Sequence, residues 1–204
     1  MPERVVVGIS GSTGVVYAIE LLKMLREHDI ETHVVMSRAA RLTLAHESDW
    51  TVEEVADLAH TMYPPNDIGA AIASGSFLTR GMIVAPCSVK TVAQIAMGNC
   101  DSLLPRAADV ALKERRRLVL MVRETPLSLI HLRNMVAVTE AGAVVAPPMP
   151  PFYTRPDTID DIVRHSVNRM LDLLGIVAHN YSSRWDGNMT TRRQRERAAP
   201  TQLA

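Results

Sequence analysis

The sequence predicts an α/β protein in which a mainly parallel sheet is covered by helices on both faces. Three observations carry this expectation. Short β-branched apolar runs recur along the chain, and segments with helical spacing of apolar residues separate them. Glycine- and hydroxyl-rich turns follow several of the runs, where a strand would empty into a helix. The 204 residues, 47% hydrophobic and 22% charged, suffice for one core and not for two. We read residues 1–176 as one domain and 177–204 as a tail expected to be partly mobile. Lys+Arg and Asp+Glu are both 22, so no global field draws the chain to nucleic acid or anionic lipid, and any anion must be bound locally. Cys87 and Cys100 lack the spacing of a disulfide framework, and no apolar run reaches the length of a membrane span. The first strand begins almost at the N-terminus and leaves no room for a signal peptide, so a cytoplasmic location is expected.

The first strand, around Val5-Val6-Val7-Gly8-Ile9, runs into Ser10-Gly11-Ser12-Thr13-Gly14. Glycines there let the backbone turn tightly and approach a ligand, three hydroxyls are available, and the free N–H groups of the next helix are expected to face an anion. The spacing G-x-x-G-x-x-G matches neither the dinucleotide fingerprint nor the P-loop. Val15, Ile19, Leu22 and Leu25 give that helix its buried face. Residues 31–36 read as the second strand, with Ser37 at its carboxyl end as either a ligand contact or a helix N-cap. Thr51-Val52-Glu53-Glu54 opens a helix with a capping-box pattern, residues 60–67 read as a loop, and 70–77 as a loop with a short strand.

Residues 81–86 form a buried strand, followed by Cys87-Ser88-Val89-Lys90-Thr91 at the start of a helix. A further helix is expected from Ala107 to about Arg116. Arg106, Asp109, Lys113 and Arg117 fall on one side of it, a pattern that by periodicity alone describes a solvated face. Residues 118–122 are a strand that delivers Arg123 and Glu124 side by side at its carboxyl end. A helix from Leu127 to Thr139 and a strand over 142–146 follow. The latter runs into a stiff segment, Pro147-Pro148-Met149-Pro150-Pro151-Phe152-Tyr153. The last helix begins near Asp157, carries Arg169 among apolar neighbours and stops at Gly175. Beyond it, residues 190–197 hold four arginines.

Six segments in this order resemble the UbiX-type flavin prenyltransferases. They are residues 8–14 (GISGSTG), 31–37 (ETHVVMS), 81–88 (GMIVAPCS), 106–114 (RAADVALKE), 123–127 (RETPL) and 147–153 (PPMPPFY). The resemblance covers residues 4–175, with a further match at Arg184-Trp185. It implies a flavodoxin-like or Rossmann-like three-layer sandwich that binds reduced FMN. The implied reaction moves a dimethylallyl group from dimethylallyl monophosphate to N5 and C6 of that flavin. The product, prenylated FMN, is the cofactor of a UbiD-type decarboxylase. By the same resemblance, FMN is held by Gly11, Ser12, Thr13, Ser37, Ser88, Val89, Lys90, Thr91 and Arg123. The substrate phosphate falls to Arg106, Lys113, Arg123, Tyr153 and Arg169, which replaces the solvated-face reading of Arg106 and Lys113. A large homo-oligomer, a dodecamer, with sites at subunit interfaces is also implied.

Breaking an allylic C–O bond develops negative charge on the departing phosphate, which fixed Arg and Lys groups offset without a metal. Glu124 is the expected acid/base group beside Arg123, the competing reading being an ion pair with a nearby arginine. Lys113 and Thr13 complete the expected catalytic set, Thr13 standing where many relatives carry serine, with a more restricted rotamer. Cysteine decarboxylases of the same superfamily need a catalytic histidine and a Pro-x-Met-Asn-x-x-Met-Trp segment, and neither motif is found here: Pro148-Met149-Pro150 is followed by Pro151-Phe152-Tyr153. The non-enzymatic alternative is an FMN-binding accessory subunit of a hydroxyarylic acid decarboxylase complex, which leaves the cationic set without a purpose.

Overall fold

Alternate residues of β1 (Arg4–Ile9) enter different cores: Val5, Val7 and Ile9 on one face of the sheet, Val6 on the other. That period of two, in a strand with both faces buried, requires helices on both sides. The computed structural model describes residues 3–177, and within them six strands form one parallel sheet in the order β3-β2-β1-β4-β5-β6. The others are β2 (Glu31–Met36), β3 (Thr61–Tyr63), β4 (Gly81–Cys87), β5 (Arg117–Val122) and β6 (Val144–Val145). Helices α1 (Val15–Glu27), α2 (Arg38–Glu47), α3 (Val52–Leu58) and α7 (Ile159–Leu173) supply one core. On the opposite face lie α4 (Val89–Ala96), α5 (Leu103–Lys113) and α6 (Leu129–Glu140). The expected three-layer α/β sandwich is the one observed.

Strand order reverses between β1 and β4, so their carboxyl ends diverge into a crevice. Ser10 holds that point together. Its backbone N–H and its hydroxyl both donate to the Pro86 carbonyl, at 3.2 and 2.9 Å, and its Oγ accepts from the Ser88 amide at 2.7 Å. Ser10 is 2% exposed, so its hydroxyl serves the scaffold rather than a ligand.

Several boundaries differ from the expectation. Residues 60–67 are not all loop: Thr61, Met62 and Tyr63 pair with His33, Val34 and Val35 as the edge strand β3, too short for a period of two to be legible. Residues 70–77 contain no strand. Ala71–Ala73 form a 3-10 turn whose small residues pack against α5. Helix α5 starts at Leu103 rather than Ala107, with Pro105 in its first turn, where a missing N–H has no helical partner to lose. It ends at Lys113, Arg115 takes a positive φ of 56°, and Arg117 lies in β5 instead of extending the Arg106–Lys113 face. Arg169 is 62% exposed at its side chain, not set among apolar neighbours. The capping box of Thr51 and Glu54 and the stop at Gly175, φ 75°, are as read. The tail motifs, Arg184-Trp185 and the arginines of 190–197, lie outside the described residues.

Replacing Ser10 with alanine strands the Ser88 amide and the second bond to Pro86. Unfolding free energy is expected to fall by about 1–3 kcal/mol, read from urea denaturation.

Candidate active site

Four strand ends, those of β1, β2, β4 and β5, carry expected site residues to the carboxyl edge; the first three contribute to one cleft, and Arg123 after β5 does not line it. After β1, Gly14 takes the left-handed conformation, φ 101°, and caps α1. Gly11 lies against Ala39 of α2: a Cβ there would come within 3.0 Å of the Ala39 carbonyl carbon and nearer still to its Cβ. The close approach of the two turns therefore requires glycine. Ser37 ends β2 and caps α2, accepting from the Ala40 amide at 3.1 Å, so the N-cap reading holds while its residue also lines the crevice. Ser88 does the same for α4, accepting from the Thr91 amide at 3.3 Å, with the two hydroxyls 3.1 Å apart.

Between these turns opens a cleft of about 720 Å³, whose lining includes Gly11, Ser37, Ser88, Lys90 and Thr91. Arg38 and Arg41 of α2 line it too. The sequence reading did not single them out, although their place in the first turn after Ser37, at the carboxyl edge, was a usable signal. Helices α2 and α4 both point their N-terminal ends at this edge, and with three cations they make it attractive to an anion. In the turn beside Gly11, Ser12 has a hydroxyl oxygen that is buried and without a hydrogen-bond partner among the described residues, but the residue does not line the cleft. Val89 packs its side chain against the second core and does not line the cleft.

The N-terminus of α1 is used otherwise than expected. The Gly14 and Val15 amides donate to Glu47 Oε2 at 2.8 and 3.1 Å, and the Thr13 hydroxyl also bonds this carboxylate. Burial pushes the Glu47 carboxyl up, but these three hydrogen bonds outweigh it and hold the group below the ordinary glutamate value. Glu47, at the far end of α2, carries no local motif; its role depends on a contact 33 residues away from Gly14 in sequence.

Arg123 anchors by its amide to the Cys87 carbonyl at 3.0 Å. Burial raises the hydroxyl of Tyr17 on α1 above its ordinary value, and the nearby Arg123 charge offsets only part of that rise. Glu124 is exposed, and its Oε1 accepts from the Thr125 amide at 3.1 Å rather than from an arginine. Cys87 is fully buried in β4, and burial raises its thiol far above the ordinary range, so it serves packing and not nucleophilic chemistry.

The expected phosphate ligands fall into separate groups. Tyr153 and His165 meet edge to face, ring centroids 6.0 Å apart, with Tyr153 Oη 3.4 Å from His165 Nε2. Burial and the neighbouring Arg169 charge hold His165 below its ordinary value, against a smaller upward pull from Asp172. Arg106 pairs with Asp109 at 2.6 Å and donates to the Ala73 carbonyl at 3.3 Å. Lys113 pairs with Glu114 at the opposite end of the sheet from Arg123.

A family model for Flavoprotein matches residues 1–171. Flavin prenyltransferase UbiX of Neisseria meningitidis serogroup B is 54% identical over 187 residues, which cover 92% of this chain and 98% of that protein. This chain belongs to the UbiX-type flavin prenyltransferases. Among solved structures of UbiX proteins, AnUbiX in complex with FMN and dimethylallyl pyrophosphate superposes with a TM-score of 0.90 at 49% identity, covering 92% of this chain and all of that one. A dodecameric FMN-dependent UbiX-like decarboxylase from Escherichia coli O157:H7 gives 0.87 at 50% identity, covering 90% and 100%. The flavodoxin-like fold expected from the UbiX motifs is thus the fold found.

The capping role of Glu47 has a pH signature. Because its carboxyl titrates lower when folded, its contribution is complete above the unfolded value of about 4.3 and is lost as pH falls through the lower folded one. Glu47→Gln is expected to reduce stability at pH 7 by about 0.5–1 kcal/mol, and the gap from the parent should close on acidification, as followed by urea midpoints across pH.

Proposed function

We propose that this chain transfers a dimethylallyl group from dimethylallyl monophosphate to N5 and C6 of reduced FMN, and that the resulting prenylated FMN passes to a UbiD-type decarboxylase in the cytoplasm. The single observation that carries the reading is the convergence at the crevice of two helix N-termini with Arg38, Arg41 and Lys90. These suit FMN. The cleft falls within the range of about 300–1,000 Å³ usual for cofactor pockets, and a dianionic phosphate matches its donors and cations. Gly11, Ser12, Thr13, Ser37, Ser88, Val89, Lys90, Thr91 and Arg123 are the residues that hold it in this reading. When bound, reduced FMN supplies the nucleophilic ring atoms.

The chain's own groups then have distinct tasks. Arg106, Lys113, Arg123, Tyr153 and Arg169 bind the prenyl phosphate and offset the charge that grows on it as the allylic C–O bond opens, with no metal. Glu124, exposed beside Arg123, moves the proton displaced during bond formation. Thr13, tied to Glu47, presents its hydroxyl in a fixed rotamer at the turn.

This division needs more than one copy of the chain. Lys113 precedes β5 and Arg123 follows it, and the six-residue strand between them spans roughly 20 Å, well beyond the reach of a lysine side chain. We infer a homo-oligomer in which one copy's Lys113 approaches another's Arg123 and Glu124. The dodecameric relative and the surface of α6 support it: that helix buries Val138 and leaves Leu129, Ile130, Leu132 and Val136 exposed.

The decisive test is anaerobic incubation with reduced FMN and dimethylallyl monophosphate, followed by mass spectrometry of the released flavin. A gain of one C5H8 unit is expected; Glu124→Gln should abolish it, and Lys113→Ala should slow it at a given concentration of dimethylallyl monophosphate. Unchanged FMN, with both ligands bound and the diphosphate also tried, would move the protein to the accessory-subunit reading. For the assembly, Ile130→Asp is expected to shift the particle to lower mass in light scattering and to reduce turnover in parallel.

A further inference from the structure

Lys113 ends α5 beside the stretch of residues 73–77, and the two are bound together more closely than a surface lysine requires. Arg116 donates through Nη1 to the Phe77 carbonyl at 2.8 Å and through Nη2 to the Gly75 carbonyl at 2.6 Å. Arg106, at the other end of α5, donates to the Ala73 carbonyl at 3.3 Å. Three alternate carbonyls of one short loop are thus taken by two arginines of a single helix–turn unit. The positive φ of Arg115 turns the chain at this point. Lys113, Arg115 and Arg117 remain exposed around the turn, while Arg116 is half-buried against the loop. Gly75 is the floor beneath the Lys113–Glu114 pair. A Cβ at residue 75 would stand 2.8 Å from Lys113 Nζ and would collide with the Glu114 carboxylate.

We propose that Arg116 and Gly75 are positioning residues for Lys113, keeping its ammonium off the loop carbonyls and available to the prenyl phosphate. This rests on the assignment of Lys113 to that phosphate. The physical reason is competition for donors. The Gly75 and Phe77 carbonyls are strong acceptors within reach of the α5 terminus, and an unclaimed carbonyl draws the nearest ammonium. With Arg116 occupying both, Lys113 has, among the described residues, Glu114 as its exposed local partner, which a dianionic phosphate can displace. Gly75 leaves the space in which the lysine and glutamate lie over the loop. A bidentate guanidinium suits two carbonyls in one loop, whereas a lysine at 116 can serve them only in part.

Steady-state prenyl transfer is measured for the full chain and for Arg116→Ala, Arg116→Lys, Gly75→Ala, Lys113→Ala and the Arg116→Ala/Lys113→Ala double variant. FMN affinity, from fluorescence quenching, and thermal midpoints are measured beside it. Arg116→Ala and Gly75→Ala are expected to raise KM for dimethylallyl monophosphate about tenfold, as loss of one oriented charge-assisted contact does. Arg116→Lys should recover part of the loss, FMN affinity should stay unchanged, and the double variant should be no worse than Lys113→Ala alone. Additive losses, or a fall in thermal midpoint and FMN affinity with KM unmoved, overturn the proposal in favour of a structural role. If Lys113→Ala raises KM and Arg116→Ala does not, the positioning role alone falls. If Lys113→Ala leaves KM unchanged, the assignment of Lys113 fails and the positioning role fails with it.

Discussion

The hydroxyl of Ser10 is the fastening on which the site depends. A parallel sheet whose strand order reverses must part at the reversal, and past the last ladder pair of β1 and β4, Gly8 with Val84, their ends are joined through Ser10. Its hydroxyl reinforces the backbone bond there, donating to one strand end and accepting from the first residue after it. The turn after β1 and the N-terminus of α4 are thereby held at a fixed separation, and the width of the crevice follows from that separation. A buried hydroxyl with both functions satisfied is rigid in a way that a longer side chain at this position could not be.

Two devices for completing a helix N-terminus are used side by side. Helices α2 and α4 are capped by their own serines, which satisfy a single amide each and leave the remaining positive end open toward the cleft. Helix α1 is closed by a carboxylate from another helix. The edge therefore has an attractive side and a neutralised side. An incoming anion is directed to α2 and α4, and the turn around Thr13 is left for a part of the ligand that carries less charge.

What was legible in the sequence followed the length of the pattern. Long periodic segments such as α1 and strands buried on both faces were readable, because every residue contributes to the same signal. The three-residue β3 was not, since its identity comes from pairing with β2 and not from its own composition. The carboxyl-edge residues Ser37, Ser88 and Arg123 could be placed because each follows directly on a strand. Glu47 could not, because its partners are distant in sequence, and the Arg106–Lys113 face was ambiguous for a different reason. A periodic row of charges looks the same whether it meets water or a ligand, and only the resemblance to the UbiX motifs separated the two. The grouping of Tyr153 with His165 depends on the path of the proline-rich segment after β6, which no local rule determines.

The separation of Lys113 from Arg123 by the whole length of β5 has a genetic meaning. In the proposed assembly, where sites are completed across subunit boundaries, a defect at Lys113 is not felt by the chain that carries it but by the neighbour that it faces. Two chains disabled at opposite ends of β5 therefore hold between them one intact set of groups. On that proposal, the unit on which selection acts at this site is the contact between copies and not the single polypeptide.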